Sequence, residues 1–167
     1  MDTSIVISPA NSVDLALSNT YLKFKIDQYI SAVFPMENVQ EVIVVPLGRI
    51  APMPNMAECV LGLLNRCNKV LWVIDLAQLL NLKIVDANAQ QYHIIIIRVG
   101  QIPLALVMQE IEGVIRCNID EIKPPQATAP SILPYLNGCI LQQQETLLVL
   151  NAEAIINAPV LHSSASG

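Results

Sequence analysis

The residues best suited to covalent chemistry are four cysteines and two histidines. Their positions in the sequence do not indicate a shared catalytic site. A cysteine hydrolase needs a thiolate with a histidine in reach. His162 lies close to the end of the chain, and His93 opens an apolar run. The thiols are Cys59, Cys67, Cys117 and Cys139. Their spacing lacks the Cys-x-x-Cys motif of redox and zinc sites. We therefore predict reduced thiols, no metal site and no cofactor, and keep one alternative open: a small enzyme that uses Cys67 or Cys139.

Paired carboxylates are the second group that could do chemistry, as a general acid and a general base. Glu110 and Glu112 are close in sequence to Asp120 and Glu121. A solvated acidic face is the simpler interpretation of this cluster, and we favour it. Phosphate-binding glycine motifs are missing, because the six glycines stand apart along the chain. The sequence therefore predicts a protein that is not an enzyme.

Composition narrows the class of partner. Hydrophobic residues make up 53% of the 167 residues and charged residues only 14%, so part of the apolar surface is expected to meet a partner. The formal net charge is -5, and only nine Lys and Arg are present, which argues against nucleic acid. The first residues lack the basic region of a secretory signal. No stretch has the roughly 18 to 20 apolar residues of a membrane span. We predict a cytoplasmic protein without membrane insertion.

The most informative pattern is an internal repeat. Residues 21–43 align without a gap on residues 93–115, which pairs Leu22 with Ile94 and Val42 with Val114. A second match, with four more residues between the copies, places residues 70–80 on residues 146–156. Self-similarity of this kind indicates a repeated supersecondary unit. Chance similarity between two β-rich stretches is the alternative.

The repeat suggests a division of the chain. We predict a mobile leader over residues 1–19, one domain over residues 20–158 and a mobile tail over residues 159–167. Within the domain, the first repeat covers about residues 21–82 and the second about residues 93–157. Two copies favour a pseudo-twofold pair of subdomains over a solenoid.

Each copy has the pattern of β-strands with a few short helices. Apolar Leu22, Phe24 and Ile26 alternate with polar residues, as in a half-buried strand, and Ile94–Ile97 has the pattern of a strand covered on both faces. We expect hairpin turns at equivalent points, at residues 27–28 and 100–101.

Helices and core positions can also be assigned. Short helices are predicted at residues 55–61, 76–82 and 152–157, the last two with Asp75 and Asn151 as N-caps. The predicted core residues are Phe24, Val73, Ile96 and Leu148, and Trp72 is assigned to the core as well.

Several motifs resemble those of the CheW family, which includes the regulatory domain at the end of the CheA kinase. The family element V-x-E-[IV] is matched by residues 39–42, and its segment G-x-x-N-L-R-G-x-x-x-P-V-x-D-L by residues 62–76. Gly62, Asn65, Asp75 and Leu76 agree in register. Residues 122–125 and 135–138 match the later I-x-P-P and Y-x-x-G elements. The likeness runs from about Tyr21 to Ile156.

The resemblance implies a fold and a function. The fold would be all-β with short helices, built as two pseudo-twofold-related, five-stranded SH3-like β-barrels. The protein would be a non-catalytic adaptor that couples the cytoplasmic hairpin tip of a chemoreceptor to the regulatory domain of a CheA-type histidine kinase, recruited to receptor arrays. Receptor contacts carried over from the motifs are Val39, Glu41, Gly62, Asn65 and Arg66. Kinase contacts are expected around Gly113 and Tyr135.

The chain departs from the family at one polar contact. Cys67 stands where the family has an arginine that pairs with the glutamate corresponding to Glu41, and Arg66 comes one residue earlier. A shift of one strand residue normally turns a side chain to the opposite face. If Arg66 nevertheless replaces the family arginine, we expect an exposed pair with Glu41, which would add about 0–1 kcal/mol to stability. A kinase-binding regulator that has lost receptor coupling is the remaining alternative.

Overall fold

The computed structural model describes residues 19–82, 90–125 and 129–162. These residues form eleven strands and three short α-helices. The strands are β1 (Thr20–Lys25), β2 (Ser31–Pro35), β3 (Val39–Pro46), β4 (Val60–Arg66), β5 (Lys69–Asp75), β6 (Gln91–Val99), β7 (Ile102–Met108), β8 (Glu110–Arg116), β9 (Ile122–Lys123), β10 (Leu136–Gln142) and β11 (Glu145–Leu150). The helices are α1 (Leu76–Leu79), α2 (Ala152–Ile156) and α3 (Pro159–His162).

The strands form two sheets. In the first sheet the hydrogen-bonded order is β8-β1-β2-β11-β10-β9, and in the second sheet it is β3-β6-β7-β5-β4. Most neighbours are antiparallel, and each sheet contains one parallel pair, β2 with β11 and β5 with β7. The prediction of an all-β protein with short helices is confirmed.

The two sheets do not correspond to the two sequence repeats, because each sheet takes strands from both. The hairpin β1-β2 belongs to the first repeat but pairs with β8 and β11 of the second. The hairpin β6-β7 belongs to the second repeat but pairs with β3 and β5 of the first. The repeats have therefore exchanged their first hairpins. Neither repeat contains all the strands of one sheet.

The strand pairing gives the true register of the repeat. Glu41 and Gly113 each follow a bulge, so the next residues, Val42 and Val114, are equivalent as predicted; Val42 pairs with Ile95 in the second sheet and Val114 with Leu22 in the first. The same pairs make Leu22 equivalent to Ile95, so the predicted match of Leu22 with Ile94 is wrong by one residue. The cause lies in the hairpins: five residues separate the paired Lys25 and Ser31, but only four separate Arg98 and Pro103.

Three clusters of buried apolar residues hold the sheets together. The largest lies between the sheets and includes Leu22, Phe24, Ile95 and Ile97. The other two line the concave sides, with Ile94, Ile96 and Val73 in the second sheet and Tyr21, Val33 and Leu147 in the first. Side chains of β6 alternate between the inter-sheet core and the concave side, so this strand is covered on both faces, as its run of isoleucines predicts. Phe24, Val73 and Ile96 are fully buried as predicted, whereas Leu148 is only partly buried.

The helices are short and begin at the predicted caps. The Asp75 side chain accepts hydrogen bonds from the amides of Ala77 and Gln78, and that of Asn151 accepts one from Ala154. The predicted helix at residues 55–61 is wrong. Asn55 has a positive φ of 61° in a turn, and the chain enters β4 at Val60.

The chain ends were predicted to be mobile, but only part of that prediction falls on described residues. The leader, apart from Asn19, and the end of the tail lie outside them. Residues 159–162, which were predicted to belong to the tail, form helix α3, and Leu161 packs against the largest core.

Candidate functional site

The candidate site begins with β4, whose position depends on Gly62. A β-bulge lies between Val60 and Gly62, and the φ angle of Gly62 is +146°. A Cβ added at Gly62 would lie 2.1 Å from the carbonyl oxygen of Ala51, and Ala51 forms a bridge with Leu63. The backbone therefore approaches so closely that only glycine fits. Gly138 is built in the same way: an added Cβ would lie 2.6 Å from the carbonyl oxygen of Lys123.

A two-residue turn follows β4 and places Arg66. Arg66 pairs with Lys69 across the hairpin, and the turn residues Cys67 and Asn68 have positive φ angles of 52° and 62°, as in a type I′ turn. Cys67 is exposed in this turn, so its side chain does not take the place of a strand residue. Arg66 lies two residues beyond Leu64, whose side chain is buried in the concave side of the second sheet. The alternation of the strand therefore directs Arg66 to the same side.

Arg66 Nη2 donates a hydrogen bond to Glu41 Oε1. The Arg66 and Glu41 side chains are only 17% and 14% exposed. The predicted ion pair is thus present, but the expectation that it would be exposed is wrong. The reason is that both side chains point into the open end of the curled second sheet, where Ile96 and Leu71 lie beneath them. A pair in such surroundings is less screened by water than a surface pair.

The five predicted receptor contacts differ in what they offer to a partner. Glu41 and Arg66 are joined, while Asn65 is exposed next to Arg66 on β4. Val39 is buried in the largest core and Gly62 is buried against Ala51. The Val39 side chain therefore positions β3 and the Gly62 backbone positions β4, and neither residue offers a side chain for contact. Only part of the predicted set can form a surface.

A cavity of about 150 Å³ opens beside this pair, and we refer to it as the second-sheet cavity. It lies at the end of the second sheet, between β3, the β4-β5 hairpin and the β6-β7 hairpin. Its charged lining residues are Glu41, Arg66, Lys69 and Arg98, and its apolar lining residues are Leu71, Ile96 and Pro103. Arg98 Nε donates a hydrogen bond to the Gly100 carbonyl oxygen at 2.7 Å, which holds the base of its side chain on the β6-β7 turn. Three cationic residues therefore converge on one opening.

The equivalent end of the first sheet is built with different charges. Lys23 pairs with Gly113 in the first sheet, as Ile96 pairs with Glu41 in the second. Because Gly113 and Glu41 are equivalent in the repeat, Lys23 is the counterpart of Ile96. Lys23 Nζ lies 3.0 Å from Glu145 Oε2 and 3.6 Å from Glu112 Oε2. The hydrogen bond to Glu145 is the main cause that raises the pKa of Lys23. This end of the first sheet thus contains a compact ion-pair cluster.

The predicted kinase contacts lie on the second repeat. Gly113 follows a bulge in β8 and is the counterpart of Glu41. No atom lies within 4 Å of a Cβ added at Gly113, so this position is open, unlike Gly62. Tyr135 is partly buried against the largest core, at the end of a 3₁₀ turn before β10.

The thiols and acids give little sign of catalytic chemistry in the part of the chain that the structure describes. Cys59 and Cys117 are buried, and burial is the main cause that raises the pKa of each thiol, that of Cys117 to about 11. Burial also raises the pKa of Asp75, against the hydrogen bonds it accepts at the start of α1. Among the described residues, no three His, Cys, Asp or Glu side chains are placed to hold a metal ion.

Two features of this surface differ from the sequence-based predictions. Trp72 was assigned to the core but is 40% exposed, because it lies on the outer face of β5, opposite Leu63, where the neighbouring sheet no longer covers it. Arg98 is the second feature, and it is not among the predicted site residues. The sequence does contain a signal for Arg98. It follows Ile94 and Ile96 at a spacing of two, so its side chain lies on the same side of β6 as theirs.

Comparison with known proteins relates the chain that carries this site to a protein family and to a solved structure. No helix within the described ranges is long and apolar enough to cross a membrane. Residues 20–160 match the family described as CheW-like domain. None of the curated proteins matches the sequence. The crystal structure of scaffolding protein TtCheW from Thermoanaerobacter tengcongensis is similar, with a TM-score of 0.74 and 17% sequence identity over 86% of this chain and 95% of that chain. The predicted fold of two SH3-like barrels is thereby confirmed, one barrel for each sheet.

Proposed function

Because the chain belongs to the CheW-like domain family, we propose that it is a non-catalytic adaptor that joins the cytoplasmic hairpin tip of a chemoreceptor to the regulatory domain of a CheA-type histidine kinase. The adaptor would act in the cytoplasm and be recruited to receptor arrays. A scaffold of this kind needs two separate contact surfaces and no reactive group.

The observation that carries the proposal is the Arg66–Glu41 ion pair beside the second-sheet cavity. We infer a receptor surface at this pair from the family motifs, although the arginine is displaced by one residue. The type I′ turn provides a reason why the displaced arginine still reaches Glu41. Asn65 precedes Arg66 on β4 and is exposed, and by strand alternation its side chain lies on the other face of β4 from the pair.

A second surface, on the other repeat, is proposed for the kinase. Gly113 and Tyr135 belong to β8 and to the turn before β10, both in the first sheet or at its edge. A receptor contact at the second sheet and a kinase contact at the first sheet could be occupied together. Weak contacts of this kind gain from the high effective concentration in an array.

Co-sedimentation with receptor-bearing membranes tests this proposal. The chain is mixed with membranes alone, with the kinase alone and with both. We expect binding to each and a ternary complex with both. Asn65→Arg should weaken receptor binding and leave kinase binding unchanged, because Asn65 is exposed and its replacement disturbs no buried contact. Arg116→Glu, on the exposed face of β8, is a control for the receptor arm.

Two results of the co-sedimentation experiment would contradict the proposal. Binding to the kinase without any binding to receptor membranes would identify a kinase regulator that has lost receptor coupling. Binding to neither would leave the adaptor function without support.

A further inference from the structure

Four charged side chains line the second-sheet cavity, and their sum is positive in an acidic protein. Arg66 neutralises Glu41. Lys69 and Arg98 remain, and no carboxylate among the described residues lies in ion-pair distance of either. The chain as a whole has a formal net charge of -5 with only nine Lys and Arg. Three of the nine line one opening.

The equivalent end of the first sheet is occupied by charged side chains, unlike the second-sheet cavity. Its position equivalent to Ile96 is Lys23, whose ammonium group lies between Glu145 and Glu112 and occupies that end of the sheet. In the second sheet, Ile96 has no charge and its side chain is fully buried at the base of the cavity. The counterpart of Glu145 is Lys69, as both are the first residue after the hairpin turn. Glu145 of the first sheet is thus replaced by the positively charged Lys69 in the second.

The residues that line the second-sheet cavity fit a carboxylate group on a methylene stem. A volume of about 150 Å³ exceeds the roughly 30 Å³ that a water molecule occupies in the liquid, and leaves space for a carboxylate with its methylene stem. Ile96, Leu71 and Pro103 provide apolar contact for the stem. Guanidinium and ammonium groups provide charge-assisted hydrogen bonds for the carboxylate.

We propose that the second-sheet cavity binds a glutamate side chain from an acidic segment of the chemoreceptor tip, held by Lys69 and Arg98 next to the Arg66–Glu41 pair. This inference rests on the proposed function for the identity of the partner. It adds the recognised group and two residues, Lys69 and Arg98, to the proposed receptor surface. A single carboxylate at an exposed site is screened by salt, so recognition requires the rest of the receptor segment.

The first experiment uses a defined probe and the full chain. Capped penta-glutamate is titrated into ¹⁵N-labelled protein at low salt, with capped penta-glutamine as the neutral comparison. We expect saturable shifts of the Lys69, Arg98 and Gln101 amides with penta-glutamate only. Lys69→Gln/Arg98→Gln should weaken this binding at least tenfold. Arg116→Gln/Lys123→Gln makes the same change in charge on exposed residues elsewhere and should weaken it less than twofold.

The second experiment tests the source of the carboxylate. Receptor membranes should bind the Lys69→Gln/Arg98→Gln variant at least tenfold more weakly than the unaltered chain, while the isolated kinase binds both equally. Both residues are exposed, so the variant should keep its native amide spectrum.

Four results would overturn the proposal. Absence of shifts at the cavity, or equal weakening by the two double variants, would show that the cavity does not select a carboxylate. Penta-glutamate binding with unchanged receptor binding would show that the receptor is the wrong source and leave the adaptor function standing. Failure of the unaltered chain to bind receptor membranes would remove both the proposed function and the receptor as partner, whatever the peptide does.

Discussion

Arg66 donates a hydrogen bond to Glu41, although the two residues belong to strands at opposite edges of the second sheet. In the order β3-β6-β7-β5-β4, three strands lie between them. The contact is possible only because the sheet curls until its edges approach each other. The ion pair therefore closes the barrel on one side with side chains instead of backbone hydrogen bonds. A residue pair proposed for receptor binding also supports the shape of the surface that it belongs to.

This double role predicts a measurable coupling between the two side chains. Glu41→Gln and Arg66→Gln should each lower the free energy of unfolding by roughly 1–3 kcal/mol, because each leaves one charge in poorly solvated surroundings. The double variant should lose less than the sum, with a coupling energy of about 0.5–3 kcal/mol. Urea unfolding of the four proteins measures it. Strictly additive losses would show that the pair contributes nothing to closure of the barrel.

Gly62 and Gly113 form a matched pair for testing close backbone approach. Gly62→Ala should destabilise by on the order of 2–4 kcal/mol, since the added methyl group meets the Ala51 carbonyl oxygen in a backbone conformation that is strained for alanine. Gly113→Ala has the same kind of strain, with a φ of +136°, but no steric conflict. Its cost should be about 1–2 kcal/mol. Thermal unfolding compares the two, and equal losses would contradict the steric argument.

Ile96 tests the packing of the concave side. Its side chain is completely buried, so Ile96→Ala should cost about 2–5 kcal/mol of unfolding free energy through lost apolar contact and an enlarged cavity. Val70→Ala provides the control, because Val70 is 64% exposed, and surface replacements usually change stability by less than about 0.5 kcal/mol. Chemical denaturation at fixed pH gives both values. A loss well below 1 kcal/mol for Ile96→Ala would show that β6 is loosely packed.

Cys117 makes stability depend on alkaline pH. Burial is the main cause that raises the pKa of its thiol to about 11, followed by the hydrogen bond to Glu121 and the charge of Glu121. The unfolded chain, with an ordinary thiol pKa near 8.5, then loses its proton first as the pH rises. Stability is unaffected below about pH 8 and falls between there and pH 11. The thiol should account for a loss of about 2–3 kcal/mol, since each pKa unit equals about 1.4 kcal/mol.

The control for this pH effect is Cys117→Ala, whose stability should be lower at neutral pH but should fall less steeply above pH 9. Equal slopes in the two proteins, measured by urea unfolding from pH 7 to pH 10.5, would show that another group titrates.

The periodicity of apolar residues was sufficient to predict the class of fold, the caps at Asp75 and Asn151 and the burial of β6, because these depend on local sequence. The family motifs added the barrels and Glu41. The exact register was not predictable, since a gapless alignment hides the extra residue in the first hairpin. The exchange of hairpins between repeats was also hidden, because strand partners are a long-range property. The exposure of Trp72 depends on where the other sheet ends. The spacing of apolar residues in the sequence does not predict that position.

The exchanged hairpins have a consequence for the timing of folding during synthesis. The hairpin β1-β2 leaves the ribosome early, but its neighbours β8 and β11 are completed only at Arg116 and Leu150. The second sheet likewise has to wait for β6 and β7 before β3 and β5 gain their partners. Such long-range pairing slows folding, because distant segments must meet before stabilising contacts form. Until these partners are made, the nascent chain would expose unpaired strand edges. The second sheet therefore has all its strands once Met108 is made, whereas the first sheet stays incomplete until Leu150 and depends during that interval on protection from aggregation.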